Sequence, residues 1–248
     1  MSEPAFLTAE WRWLLMLSFA VEPSVLRRHV PRGTELDDWH GTTFVSLVGF
    51  LFLGMRVMGF AVPFHRNFEE INLRFYVRSR GAEGWRRGVV FIREVVPRWA
   101  VASVARWLYG ENYVACPTRS TIIDSTGTLP GSIAYRWRSG GEWLSIGAEY
   151  AGAPALPVAG SEEEFITEHY WGYSGMADGS CLEYRVEHPR WQVWPALRPT
   201  LQGDVARFYG AELGGALRGA PHSAFVAGGS PVVVRKGIRL GGRHGRDA

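Results

Sequence analysis

A chain of 248 residues with 46% hydrophobic and 13% aromatic content has ample material for a large core, which excludes disorder for most of its length. The net charge is only +3, from an arginine excess in which Lys236 is the single lysine, and the arginines are dispersed through predicted strands and turns. Without a clustered basic stripe the composition argues against a nucleic-acid partner.

Cys116 and Cys181 have neither metal-ligand spacing nor the density of a disulfide scaffold, so a reducing cytoplasm is the expected compartment. Glu3 and Glu10 precede the apolar run 13–17, which therefore lacks the basic flank of a signal peptide and is too short to span a bilayer. The longer run 47–64 holds Arg56 and three glycines. An arginine at mid-bilayer costs roughly 2.5–3.5 kcal/mol, so this run reads as buried strand, with no membrane partner.

In chain order, residues 11–21 predict a first buried strand that ends at Glu22-Pro23. Pro23 sits at the first position of a short helical segment reaching Val30. Residues 42–52 predict a second strand, and 55–67 a Gly/Pro-punctuated connection covering one mouth of a barrel. Phe68-Glu69-Glu70-Ile71-Asn72-Leu73-Arg74-Phe75-Tyr76-Val77-Arg78 then alternates strictly. Ile71, Leu73, Phe75 and Val77 point one way, while Glu70, Asn72, Arg74, Tyr76 and Arg78 point the other. Two readings of the polar face stand: a solvated outer surface, or the lining of a polar barrel interior.

A turn at 81–84 returns the chain as a partner strand over 88–95, and Pro97 opens a helix over 97–109. In that helix Val101, Val104, Ala105 and Leu108 recur at helical spacing, with Gly110 as C-cap. Residues 113–123, 132–137 and 143–148 predict strands. Ser161-Glu162-Glu163-Glu164 is a capping box opening a short helix near 162–169, with Phe165, Ile166 and His169 inward. A hairpin of 170–173 with 182–188 follows; if Asp178-Gly179 are the two central turn residues, Tyr173 faces Tyr184 and Trp171 faces Val186. Residues 195–199 predict a break, 201–213 a second main helix with Val205, Phe208 and Tyr209 inward, and 224–234 a closing strand. The expected organisation is one α+β domain over 1–240 with a frayed tail at 241–248.

Glu70, Asn72 and Arg74 on one strand face are suited to orienting a small carboxylate or carbonyl ligand. Glu70 and Arg74 lie roughly 13 Å apart along a strand, so each needs another partner, with Arg93 and Glu94 on the neighbouring strand as candidates. Glu168, His169, Glu187 and His188 form the one His/carboxylate cluster, open to an acid–base or ligand-binding role, a metal-binding role or a structural one. It lacks specific metal spacing, and no metal or cofactor is expected. The chain has no Gly-x-Ser-x-Gly elbow, and Gly214-Gly215 and Gly228-Gly229 lack the frame and lysine of a phosphate loop.

Residues 68–78, followed by Gly88-Val89-Val90-Phe91 and Ala105-Arg106-Trp107-Leu108-Tyr109, resemble the YqjF-like bacterial proteins of unassigned function. So do the stretch from Ser161 to Tyr170 and Val186-Glu187-His188-Pro189-Arg190-Trp191 behind it. That family is similar in turn to acetoacetate decarboxylase, which implies a mostly antiparallel β-barrel or cone with two main outer helices. The decarboxylase carries paired lysines in a Gly-x-Pro-Lys-Lys context after its long helix, one of which forms a Schiff base. Here the corresponding stretch is Gly110-Glu111-Asn112-Tyr113-Val114, so the resemblance implies a site without imine chemistry, with Tyr113 among its secondary candidates. Glu70 falls where the decarboxylases place an active-site glutamate. The expected function is binding, with transformation left open, of a small polar organic molecule in the barrel cavity. Glu70, Asn72, Arg74, Glu168 and His188 are the leading candidates, and Arg93, Glu94, Tyr113 and His169 secondary ones. A non-catalytic ligand-binding or oligomeric interaction protein, including a homo-oligomer, is the competing class.

Overall fold

The structure is a computed structural model and describes residues 4–61, 66–97, 112–126 and 129–240. Strands dominate it. The chain opens with β1 (Ala5–Val21), α1 (Pro23–Leu26) continued by a 3-10 turn (Arg27–His29), β2 (Glu35–Leu36), β3 (Thr43–Val57) and β4 (Phe60–Ala61). The long hairpin β5 (Phe68–Gly81) and β6 (Gly84–Val96) follows, then β7 (Tyr113–Ala115), β8 (Thr118–Ile123), β9 (Gly131–Ser139) and β10 (Glu142–Tyr150). The last third holds α2 (Glu162–Thr167), β11 (Trp171–Gly175), β12 (Cys181–Glu187), β13 (Val193–Gln202), α3 (Val205–Tyr209), α4 (Ala211–Ala216), β14 (Ser223–Arg235) and β15 (Ile238–Leu240).

Hydrogen-bonded neighbours run β12-β11-β6-β5-β3-β1-β14, and β12 pairs back onto β14 through Val186–Val234 and Glu187–Val233. The sheet thus curls until its ends meet over two residue pairs, a cone rather than a formal barrel. From β14 the path continues through β13, β10, β9 and β8, a second antiparallel layer. Among the described pairs, only β6–β11 and β6–β7 are parallel.

The alternation of β5 gives each layer its core. Ile71, Leu73, Phe75 and Val77 join Leu15, Leu17, Val45 and Leu47 on the outer side, packed on Ile133, Tyr135, Trp137, Leu144 and Ile146 of the second layer and on Val205, Phe208 and Leu213 of α3 and α4. Among the described residues the outer cover includes a second sheet layer beside the helices, where the expectation named helices. A second buried cluster fills the inside of the cone, with Leu14, Met16, Phe44, Val48, Phe50, Phe52, Phe68, Tyr76, Phe165, Ile166 and Trp191. No helix among the described residues is long and apolar enough to cross a membrane.

Several expectations need correction. The helix expected over 201–213 is two short helices, since β13 runs to Gln202 and Gly210, at φ 92°, interrupts the helical backbone. Asp204 starts α3 by accepting from the Arg207 N–H at 2.9 Å. The break expected at 195–199 is absent, because β13 carries Pro195 opposite Phe225 of β14 and absorbs Pro199 at an irregularity in its pairing with β10, where Arg198 adopts φ 48°. The β11–β12 hairpin is one residue out of the expected register: Tyr173 faces Glu183 and Trp171 faces Arg185. Gly179, at φ 78°, is the last residue of a three-residue loop closed by Met176 and Ser180 and not the second of a two-residue turn. The strand expected over 113–123 is split at Cys116-Pro117 between the two layers. Strand β3 also extends into the connection expected at 55–67, and β4 pairs back onto it. Most of the helix expected at 97–109, and the tail at 241–248, lie outside the described residues.

Candidate functional site

The register of β1, β3, β5 and β6 sets the inner wall of the cone in rows. Phe52 faces Phe68, Phe50 faces Glu70, Val48 faces Asn72 with Glu94 beyond it, and Ser46 faces Arg74 with Phe91 beyond it. Glu70 is 3% exposed, Asn72 2%, Arg74 8% and Glu94 1%, so the reading of this face as a solvated surface falls. Charged groups are rarely buried this fully unless they are partnered.

Asn72 Nδ2 donates to Glu70 Oε1 at 3.1 Å, which orients the amide and the carboxylate together. Arg74 Nη2 donates to the Ile166 carbonyl at 3.3 Å and lies 3.7 Å from Met16 Sδ, with its guanidinium 5.8 Å from the Tyr76 ring centroid. Two polar valences remain: Asn72 Oδ1 and Arg74 Nε are buried without a hydrogen-bond partner. One is an acceptor and the other a donor.

The second motif meets this wall through α2. Ser161 Oγ accepts from the Glu164 N–H at 3.2 Å, and Glu164 reaches back to the Gly160 N–H at 2.7 Å, so the capping box forms one residue wider than expected. The helix ends at Thr167, with Glu168 and His169 just past it. Glu168 accepts from the Tyr170 hydroxyl and lies 3.7 Å from Arg190 Nε. The Tyr170 hydroxyl is pushed above its usual range by burial and then by that carboxylate. His188 is half-buried and stacks on Trp191, with ring centroids 4.2 Å apart. Its Nδ1 is 2.9 Å from the Pro189 carbonyl, which can only accept, so the neutral ring carries its proton there and Nε2 is the acceptor. Burial, together with the charge of Arg74, holds His188 below the ordinary histidine range, against the opposing pull of the Pro189 bond and of Glu168. Arg74 and Glu168 therefore both act on His188 electrostatically.

Other candidates fall elsewhere. A bulge at Leu73/Arg74 places Arg93 opposite Leu73 on the outer side, where it donates to the Phe208 carbonyl and lies 4.8 Å from that ring centroid. Arg93 therefore stands away from Glu70 and Asn72, because the inserted residue re-aims the side chain. Glu187 is held by Arg235 at 2.7 Å. Glu94 is in the inner wall, and Tyr113 pairs beside it on β7 and packs against the inner cluster.

His169 is fully buried between the rings of Tyr76 and Phe165, at 4.7 and 5.2 Å. Its Nε2 is 3.8 Å from Asp37 Oδ2, too long for a hydrogen bond. Burial, with the charges of Arg87 and Arg74, lowers the imidazole to about 4 even though Asp37 opposes the shift. Burial alone would raise the Asp37 carboxyl, but His169 and the Arg87 guanidinium, whose Nε is 2.6 Å away, bring it below its ordinary value. Behind Tyr76 runs a buried hydroxyl chain, with its OH 2.7 Å from Ser46 Oγ and Ser46 Oγ 2.8 Å from Ser18 Oγ. Asp37, Arg87, Ser18 and Ser46 carried no signal in the sequence beyond their strand or turn positions. Among the described residues no group of three or more His, Cys, Asp or Glu side chains is arranged to hold a metal ion.

A curled antiparallel sheet with a second layer and a buried polar inner strand is the acetoacetate decarboxylase-like fold. The crystal structure of acetoacetate decarboxylase from Legionella pneumophila matches 97% of this chain and 90% of its own length, with a TM-score of 0.68 and 11% identity. The enduracididine biosynthesis enzyme MppR complexed with pyruvate matches 97% of this chain and 92% of its own, with a TM-score of 0.68 and 13% identity. At such identities the likeness shows the fold alone. Residues 8–231 match the DUF2071 family, described as an uncharacterized conserved protein, and the chain belongs to that family. The uncharacterized protein YqjF of Bacillus subtilis (strain 168) is 36% identical over 75 residues, which span 30% of this chain and 31% of that protein.

Proposed function

We propose that this protein binds a small organic molecule bearing a carbonyl or carboxyl acceptor beside a hydroxyl or N–H donor, inside the cone at Glu70, Asn72 and Arg74. The observation that carries this reading is the pair of buried, unpartnered valences on one strand face, Asn72 Oδ1 as acceptor and Arg74 Nε as donor. Leaving both unmade costs on the order of 1–3 kcal/mol each, a cost that a ligand offering the matching pair removes. A 2-hydroxy acid, an enolised 2-oxo acid or a primary amide has that pattern. A neighbour of the same fold, MppR, has been captured with pyruvate, which supports a small acid as the kind of ligand this fold accepts. Glu168 and His188 stand on the second motif, where an imidazole with Nε2 as acceptor is suited to exchanging a proton with a ligand. Cys116 and Cys181, both buried and free, support a reducing compartment such as the cytoplasm.

Thermal unfolding in the presence of lactate, pyruvate, acetoacetate and their amides tests the reading. A ligand at a hundred times its Kd stabilises by about 2.7 kcal/mol, a clear rise in Tm. The rise is expected to vanish in Arg74→Met and Asn72→Leu. If no acid or amide in the panel shifts Tm, or if the shift survives both substitutions, the reading fails. Turnover that is lost in Glu70→Gln identifies an enzyme, and stabilisation without turnover a binder.

A further inference from the structure

We infer that the ligand of this interior carries an aromatic ring two or three atoms from its polar head, so that its class is an aryl-substituted hydroxy or oxo acid. The inference rests on the interior site proposed above and adds the part of the molecule that the polar residues do not specify. Phe50 lies directly opposite Glu70, and Phe52 opposite Phe68, in the rows next to Asn72 on the side away from Arg74. Trp11 of β1 pairs with Phe52 and meets the rings of Phe50 and Phe52 edge-on at 5.4 and 5.8 Å. Phe52 and Phe68 stack at 5.0 Å, and Trp191 closes the group 6.3 Å from Trp11. The polar rows thus run straight into an aromatic end of the same buried cluster, and His188, stacked on Trp191, joins the second motif to it.

Length and hydrogen bonding both favour a ring-bearing ligand. At about 3.3 Å per residue, the Phe50 row lies roughly 7 Å and the Phe68 row roughly 13 Å from Asn72. A three-carbon acid with a terminal phenyl group spans roughly 8 Å from carboxyl oxygen to ring edge, at about 1.3 Å of projected length per bond. It therefore reaches the Phe50 row, whereas a bare two- or three-carbon acid ends before it. The Trp11 indole Nε1 is buried with no hydrogen-bond partner, although Trp191 beside it donates to Ser230 Oγ at 2.9 Å. Buried indole N–H groups usually find a partner, and the acceptor or π face of a ring-bearing ligand beside Trp11 supplies one.

Calorimetric titration with two matched pairs, lactate with 3-phenyllactate and pyruvate with phenylpyruvate, isolates the ring because each pair shares its head. The expected result is at least tenfold tighter binding of the aryl member. That preference should narrow at least threefold in Phe50→Leu and in Trp11→Phe, read as the ratio of two affinities on the same variant so that a general loss of folding cancels. Equal affinities within each pair overturn the inference and leave the polar site standing. An aryl preference untouched by Phe50→Leu and Trp11→Phe also overturns it, since the ring is then bound elsewhere. Binding of either member that persists unchanged in Arg74→Met, or no binding at all, removes the underlying reading instead.

Discussion

At the scale of single residues, His169 has the clearest physical signature. The sequence marks it as an inward position after α2, yet nothing near it in the chain points to Asp37 or Arg87, which are brought in from the β2–β3 turn and from β6. Its burial keeps the ring neutral in the folded protein down to about pH 4. An unfolded histidine takes up a proton near pH 6.5, so between about 6.5 and 4 the unfolded chain binds more protons than the native one. Stability therefore falls as the pH falls through that window, by up to roughly 3 kcal/mol in total. Asp37, whose carboxyl is depressed, contributes stability that is lost only as the pH drops below the ordinary aspartate value, under the histidine window. Unfolding midpoints in urea at pH 7.5, 6 and 5 are expected to slope downward in the wild type and less steeply in His169→Phe, where His188, also held below its ordinary range, keeps its own share of the slope. Parallel slopes in the two proteins would place the titrating group elsewhere. The same reasoning explains why Glu70, Asn72 and Arg74 were legible as a group: strict alternation put them on one face, and burial of that face followed once both sides of β5 were covered.

At the scale of elements, alternation reads well and register does not. The apolar stripe of β5 and the closing strand β14 are visible in the sequence because each residue's side depends only on its neighbours. The β11–β12 register depends on where Gly179 falls within its loop, and a change of one loop residue moved every cross-strand pair. The split of the 201–213 helix likewise turns on the backbone of Gly210, which the helical spacing of Val205, Phe208 and Tyr209 conceals. The junction of β3 with the second layer is equally invisible in the sequence and now testable. An added Cβ at Gly49 would lie 2.6 Å from the Tyr135 ring, and that ring cannot back away, being fully buried with its hydroxyl 2.6 Å from the Trp13 carbonyl. Gly49→Ala is expected to destabilise by about 1–3 kcal/mol, as overpacking of a tight core does. Denaturant melts measure it, and Gly49→Ala combined with Tyr135→Ala, which removes the ring atoms at 2.6 and 2.7 Å, should cost less than the two single substitutions added together. A neutral Gly49→Ala would mean that the two layers are not in contact there.

At the scale of the whole molecule, the cone was legible and its cover was not. An apolar outer face on β5 states that something packs there, but a helix and a second sheet satisfy it equally, and among the described residues strands from 118 to 150 pack on it together with α3 and α4. The fold is shared with acetoacetate decarboxylase at 11% identity, which leaves the chemistry of the interior to the residues themselves. An imine mechanism needs an amine in the cavity with its pKa lowered by its surroundings. The single lysine of this chain, Lys236, is exposed beyond the end of β14, and the positions that would continue the decarboxylase pattern hold Asn112 and Tyr113. Asn112 Nδ2 donates to the Ile92 carbonyl at 3.1 Å, so its amide is already engaged with β6. Incubation with acetoacetate or another β-keto acid followed by borohydride is therefore expected to leave the intact mass unchanged, in the wild type and in Lys236→Arg alike. A reduced adduct that maps to Lys236 and disappears in Lys236→Arg would overturn this and bring the closing strand, instead of the inner wall of the cone, into the chemistry.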